Sequence, residues 1–594
     1  VAVMCWRKRP WQLTSTLAVA VGLLAASATP TLAATGTPAP ATGSAGSGHT
    51  AGVPLQSVPP APTLPTRPLP VTGGAPAPAP AGVSAAALPV GASIDLKVLV
   101  VSRTGSEVEL PAVTKTLDYL GTPYDVYNAG GPPGGLTADK LATGSHALYS
   151  GVILTDSSLG VTGGALSGPE LTTLTSYEAT FGIRQVTWYT FPNTYYGFTG
   201  TPTSTTAATP ATYTAAGATV FSYVNAANPL TISNATTYLA PAATDANTTP
   251  LLTNGANALA LVHTYPAEGN RMNLALTFDS NEFLTHNLVL GYGLVNWVNG
   301  GLYLGERHSY LEPQPDDILL ASGDNTWPAG TLCTTSVDNP SLPTFRMSGT
   351  DLQKAVDWQK TVQANPVSAQ VALEWPFNGD GTTGTPTDTL TPAVKTLQSN
   401  FKWISHTWDH ENLDAIAHDP AVLELTYNNT AATTLGLIKF NSSRLITPDV
   451  SGLDNPAFLQ AANEQGVRFL VSDTSIKGPT PKRSGDNPSP NAGRYNPSQP
   501  AILEVPRHPT NLYFNVTDPP GWLSEDNCLY PTGANGHVAD YAALLDRESE
   551  VLLGYLLRGD MDPLMFHQPN VAAYDGTHSL LSDLLDATLT KYKQ

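Results

Sequence analysis

The chain has 594 residues, a formal net charge of −19, a pI near 4.9 and only 13% charged side chains. That length is too great for one ordinary core and implies two or three domains. The acidic balance excludes nucleic acid as the main partner, since phosphate repels such a surface, while a cationic polymer would be attracted to it.

Arg7, Lys8 and Arg9 precede a short apolar run, Leu17 to Ala26, and the small residues around Thr31-Leu32-Ala33. This is the layout of a cleaved export signal over residues 1–33. The apolar run is shorter than the roughly 20 residues that span a bilayer. The chain is therefore expected to be secreted, with no membrane span. Residues 34–92 are mostly Ala, Pro, Gly, Thr and Ser and read as an extended linker that cannot bury a core.

Order begins with the apolar run Ile94 to Val101, which reads as a buried parallel strand. Helix-like and strand-like segments then alternate through Leu148 to Leu154 and Arg184 to Trp188. This predicts a small doubly wound α/β domain over residues 93–305. Inside it, residues 191–276 carry short runs rich in Thr, Tyr and Val, among them Ala218 to Val224 and Ala258 to Tyr265. They predict an all-β, sandwich-like insertion. Leu274 to Phe278 reads as a returning strand and Phe283 to Val298 as a closing helix. The clustered aromatics Tyr189, Phe191, Tyr195, Tyr196 and Phe198 suit either core packing or stacking on sugar rings.

From residue 306 to 594 the alternation resumes. Apolar runs fall at Ile318 to Leu320, Ala369 to Glu374, Phe401 to Ile404, Arg468 to Val471 and Leu564 to Phe566, with helical segments such as Thr350 to Gln363 and Pro456 to Gln465 between them. Five or more β/α repeats describe a distorted barrel, whose chemistry collects at strand C-termini. His406, Asp473 and His567 each follow one of these runs, and Asp316-Asp317 precedes one. Cys333 and Cys528 are the only cysteines after the signal, and spacing leaves their pairing open. Asn234 and Asn515 begin glycosylation sequons that would matter only in a eukaryotic secretory route.

His406 and His410, four apart after an apolar run, can bring two imidazoles to one metal ion. Asp316 and Asp317 repel each other unless a cation or hydrogen bonds offset the repulsion. A metal would take one and leave the other as a general base. His567 can supply a general acid, oriented by Asp473, and Arg444 can hold the basic aspartate by an ion pair. Asp279, also placed after an apolar strand, reads as structural. No phosphate loop, Gly-x-Ser-x-Gly elbow or His-Glu-x-x-His helix is present in the sequence. Glu374, Asp380 and Glu504 leave a paired-carboxylate glycosidase as an alternative.

The order of these motifs resembles that of the NodB-type polysaccharide deacetylases, carbohydrate esterase family 4 and its relatives. Arg307-His308-Ser309-Tyr310 running into Pro315-Asp316-Asp317, and His406-Thr407-Trp408-Asp409-His410-Glu411-Asn412-Leu413, look more narrowly like the Agd-type galactosaminogalactan deacetylases of carbohydrate esterase family 18. Those enzymes carry an associated carbohydrate-binding module. The resemblance implies a NodB-like domain over 306–594, with Asp317, His406 and His410 on one zinc ion. It further implies Asp316 as general base, His567 as general acid, and Arg444 and Asp473 tuning that pair. The β-rich insertion would be the carbohydrate-binding module, and the substrate an N-acetylhexosamine polysaccharide, N-acetylgalactosamine polymers first.

Two departures stand out. Gln314-Pro315-Asp316-Asp317-Ile318 replaces the usual Thr-Phe-Asp-Asp-Gly, and Arg444-Leu445-Ile446-Thr447-Pro448 replaces the usual Arg-Pro-Pro. The competing readings are a non-catalytic carbohydrate-binding or adhesive protein on the same scaffold, and an O-acetyl esterase.

Overall fold

The computed structural model describes residues 88–594, apart from 133, 161–163, 304–306, 337–338, 384–386, 474–492 and 532–536. The expected signal and nearly all of the expected linker lie outside the described residues.

The first half is built on parallel strands. Val98–Ser102, buried along its whole length, pairs with Tyr124–Asn128 on one side and Gly151–Leu154 on the other. Arg184–Thr187 and Arg271–Leu276 continue the sheet in parallel. An apolar strand covered on both faces needs helices above and below. Glu109–Tyr119, Gly168–Phe181 and Thr285–Val298 are among the helices of this half. Gly168–Phe181 shows how local sequence sets its limits: Ser167 and Glu170 form a capping box, and Gly182 ends the helix at φ 68°.

The β-rich segment is added to this same sheet. Asn257–Tyr265 pairs antiparallel with Arg271–Leu276, then Thr248–Asn254, Thr209–Tyr213 and Leu230–Ile232 extend the edge to an eleven-stranded sheet. Thr237–Pro241 and Thr203–Thr205 form a short pair folded off that path. The run Ala218 to Val224, expected to be a strand, instead begins inside the helix Ala215–Val220. Thr214 caps that helix by accepting from Gly217 N. Gly217 lies so close to Leu251 O that a Cβ there would stand 2.0 Å from it. The cap and the close approach override the β-branched composition.

The second half is a ring of seven parallel strands among the described residues. Their order is Pro313–Asp316, Leu564–His567, Leu503–Pro509, Phe469–Asp473, Phe440–Leu445, Lys402–Ser405 and Glu374–Phe377. A bridge between Ile318 and Phe377 brings the last strand back to the first, so the barrel is nearly closed. Trp375, Phe377, Phe401 and Trp403, all fully buried, fill one wall edge-to-face.

Two strands sit differently from expectation. The first is Pro313–Asp316 rather than Ile318 to Leu320, because Asp317 and Leu319 take φ of 70° and 71° and turn the chain out of the ladder. The second is Glu374–Phe377, starting where the predicted run ends. Asp316 therefore closes a strand instead of preceding one. Cys333 and Cys528 form a disulfide, tying the long loop after the first barrel strand to the helix Pro519–Leu529. Asn515 is fully buried and donates to Glu525, which leaves no room for a glycan there.

Candidate functional site

All barrel strands run the same way, so their last residues share one rim. Asp316 and His567 end adjacent strands and are register partners there. Arg507, 1% exposed on the neighbouring strand, donates from both terminal nitrogens to both oxygens of Asp316, at 2.7 and 2.6 Å. It also donates to Gln314 O at 3.0 Å. Such a fork fixes a carboxylate's plane as well as its position.

His406 follows the strand Lys402–Ser405, and its Nδ1–H donates to Ile446 O at 2.8 Å. That bond orients the ring and turns Nε2 toward Asp317, where a bound metal would take its lone pair. Thr407 and His410 take φ of 65° and 67°, a left-handed conformation that costs free energy in residues carrying a Cβ. The surrounding structure holds the loop there. Asn378 Nδ2 donates to the carbonyls of His406 and Thr407, and Glu424 Oε2 accepts from the N–H groups of Trp408 and Asp409. Asn428 donates to Ser405 Oγ and Phe377 O below them.

The result is that Asp317 Oδ1 lies 3.2 Å from His406 Nε2 and 3.3 Å from His410 Nε2. Ligand atoms of the three buried residues all lie within 4.8 Å of one another. Burial by itself would raise the Asp317 pKa, but the two imidazoles hold it well below the usual carboxylate range. Apart from those rings, its oxygens have no hydrogen-bond partner among the described residues. A buried carboxylate so placed is costly alone, and two nitrogens with one oxygen are a donor set that suits a divalent cation. The residues present fit a metal ion.

Other predicted residues fall elsewhere. Arg444 does not hold Asp316. It pairs with Glu374 at 2.8 Å, toward the opposite end of the barrel, and Arg507 occupies the place expected for it. Strand stagger is the reason: Arg444 lies level with Phe469, the first residue of its strand, whereas Arg507 lies level with Asp473, the last. Asp473 closes its strand, and its side chain lies outside the described residues. The glycosidase candidates are tied to separate partners: Glu374 to Arg444 and Gln314, Glu504 to Asn496, and Asp380 to Ala321 N. Asp279 is buried and accepts from Ser280 N, as a structural residue would. Tyr189, Tyr196 and Phe198 are core residues, while Phe191 and Tyr195 are partly exposed. Sequence reasoning missed Arg507, Asn378 and Glu424. Only Arg507 carried a local signal, a charge inside the strand run Leu503 to Pro509.

A nearly closed parallel barrel with two histidines and adjacent aspartates on its C-terminal rim defines a hydrolase of the carbohydrate-deacetylase class. Residues 389–583 match the family model of the Agd3 deacetylase domain, and residues 94–262 match that of the Agd3 carbohydrate-binding module, CBM87. The chain belongs to the Agd-type deacetylases that carry this module. The module match runs from 94 to 262, so it takes in the parallel strands up to Arg184–Thr187 as well as most of the β-rich segment.

Among solved structures, Agd3, described as a novel carbohydrate deacetylase, aligns over 84% of each chain with 20% identity and a TM-score of 0.69. A family 4 carbohydrate esterase from Streptomyces lividans, in complex with acetate, aligns over 28% of this chain and 66% of its own. Its identity is 12% and its TM-score 0.18, too low to establish a common fold. No curated protein matches the chain.

Proposed function

We propose that this is a secreted, zinc-dependent N-deacetylase acting on N-acetylhexosamine polymers, with N-acetylgalactosamine the preferred unit. The observation that carries it is one rim holding Asp317, His406 and His410 together beside the register pair Asp316 and His567. Asp317, His406 and His410 would hold the ion. Zinc suits two imidazoles and a carboxylate, and when bound it supplies Lewis-acid polarisation and a lower pKa for water.

The chain's own residues would carry the protons. Asp316, held in place by Arg507, accepts a proton from water as its oxygen bonds to the acetamide carbon. His567 gives a proton to the amide nitrogen as the C–N bond breaks, so that acetate and a free amine leave. Phe514 packs edge-on to His567, 5.8 Å between ring centroids, and provides an apolar wall beside the departing group. The product polymer is cationic, and a chain of charge −19 attracts it.

The test is metal content and acetate release from acetylated hexosamine polymers, wild type beside His406→Ala. About one zinc per chain, lost together with acetate release in the variant, is expected. Full activity without metal would overturn the reading. His567→Ala separates amide from ester chemistry: an amine leaving group needs its acid, so N-deacetylation should fall far more than cleavage of an O-acetyl ester.

A further inference from the structure

The barrel has a second cavity at the end away from the metal ligands. It encloses about 820 Å³, within the range of ligand pockets. Its charged rim comes from the opposite ends of the strands, and the cavity reaches into the barrel as far as Ile404, Leu445 and Val471. Glu312 immediately precedes the first barrel strand, while Glu374, Lys402 and Phe469 are first residues of theirs. Arg444, which the sequence placed beside the basic aspartate, is here, as is Tyr310 from the motif Arg307 to Tyr310.

Each carboxylate in this wall has a cation. Lys402 Nζ reaches Glu312 at 2.6 Å, and Arg444 pairs with Glu374 at 2.8 Å, which also accepts from Gln314 Nε2 at 2.7 Å. Arg307, the remaining cation, is turned onto the rings of Tyr223 and Tyr292 and donates to Leu557 O. The pocket therefore presents donors and acceptors side by side, with three cations to two carboxylates. Around them stand apolar groups that a soluble protein would not ordinarily leave together in water: Tyr310 at 46% exposure, Phe469 at 40%, Met561 at 55% and Val367 at 59%.

We propose that this cavity is a second binding site, for a neutral oligosaccharide of two or three acetylated sugar units. Vicinal hydroxyls and acetamido groups are donors and acceptors together, as the paired side chains are, and the C–H faces of sugar rings pack on apolar and aromatic surface. Both carboxylates already have cations and Arg307 is one cation in excess, so the wall favours an acetylated chain over the cationic deacetylated one, which would bring a further uncompensated charge into the pocket. Strand polarity separates this site from the metal ligands, so it holds polymer without presenting it for reaction.

Calorimetry and crystal soaking on the full secreted chain test this, with metal removed by chelation to prevent turnover. The probes are N-acetylgalactosamine and N-acetylglucosamine trimers and their fully deacetylated forms. The expected result is density for an acetylated trimer in the cavity and at least fivefold weaker binding there in Tyr310→Ala and Phe469→Ala, two exposed positions. Metal-loaded variants should keep wild-type kcat on a short soluble substrate. An empty cavity at saturating trimer, or unchanged isotherms in both variants, would overturn the proposal. So would deacetylated trimers binding there as tightly as acetylated ones. Failure of the deacetylase reading would appear separately, as absence of acetate release.

Discussion

At the C-terminal rim of the barrel, Asp317 faces the Nε2 atoms of two histidines, and only Asp316 has a guanidinium of its own. At the N-terminal rim, Glu312 and Glu374 each lie against a cation, Lys402 and Arg444. Both ends thus set two carboxylates among basic side chains. The difference lies in pairing: one end leaves a donor set for a divalent ion, and the other gives each carboxylate a cation of its own. Residue type alone does not distinguish a cation site from a polyol site; which cation each carboxylate meets does.

The largest effect should come from the unpaired end. His406→Ala or Asp317→Asn is expected to abolish metal binding and lower acetate release by about 10³-fold or more, while circular dichroism stays that of the folded chain. Next in size is Arg507→Met, which leaves Asp316 buried without its cation. It should cost about 3–5 kcal/mol of stability, read by denaturant unfolding, and reduce activity with it.

Arg444→Met breaks the comparison if the two arginines are interchangeable. The Arg444 guanidinium is partly exposed although Glu374 is buried, so the substitution should cost about 1–3 kcal/mol, with a much smaller loss of activity than Arg507→Met. Loss of activity equal to that of Arg507→Met would return Arg444 to the catalytic rim.

The smallest effect is one of pH. Burial, with Glu374 beside it, raises the Glu312 pKa. Its protonated form is therefore favoured in the fold, so stability is highest below the ordinary carboxylate range and declines as pH rises through the folded pKa. Glu312→Gln should match wild type near pH 4 and melt about a degree or two higher near pH 7. Melting curves that stay parallel at both pH values would argue against it.

Much of the site was legible in order along the chain. His406, His410, Asp316, Asp317 and His567 could be picked out because each is tied to a short apolar run or to a close neighbour. Spacing of four and adjacency are local properties, and local properties survive reading without a fold. The barrel was legible for the same reason, as repeated strand and helix runs. Arg444 and Arg507 show where such reading stops. Each lies in a strand-like stretch near a proline, and nothing local says which reaches Asp316. The helix Ala215–Val220 is a second case, where a β-branched run was overruled by the Thr214 cap and by contact with Leu251.

By itself, then, the sequence determined which chemistry the molecule can hold: two imidazoles, an acidic pair and a late histidine, set on repeating β/α units behind an α/β module. Tertiary structure decided who meets whom. The stagger of parallel strands moved Arg507 to the base and Arg444 to the far end. The left-handed turns at Thr407 and His410 lie in a loop that Asn378 and Glu424, distant in sequence, hold by its backbone. Register and long-range hydrogen bonds are properties of the closed barrel, and no window of residues short of the whole contains them.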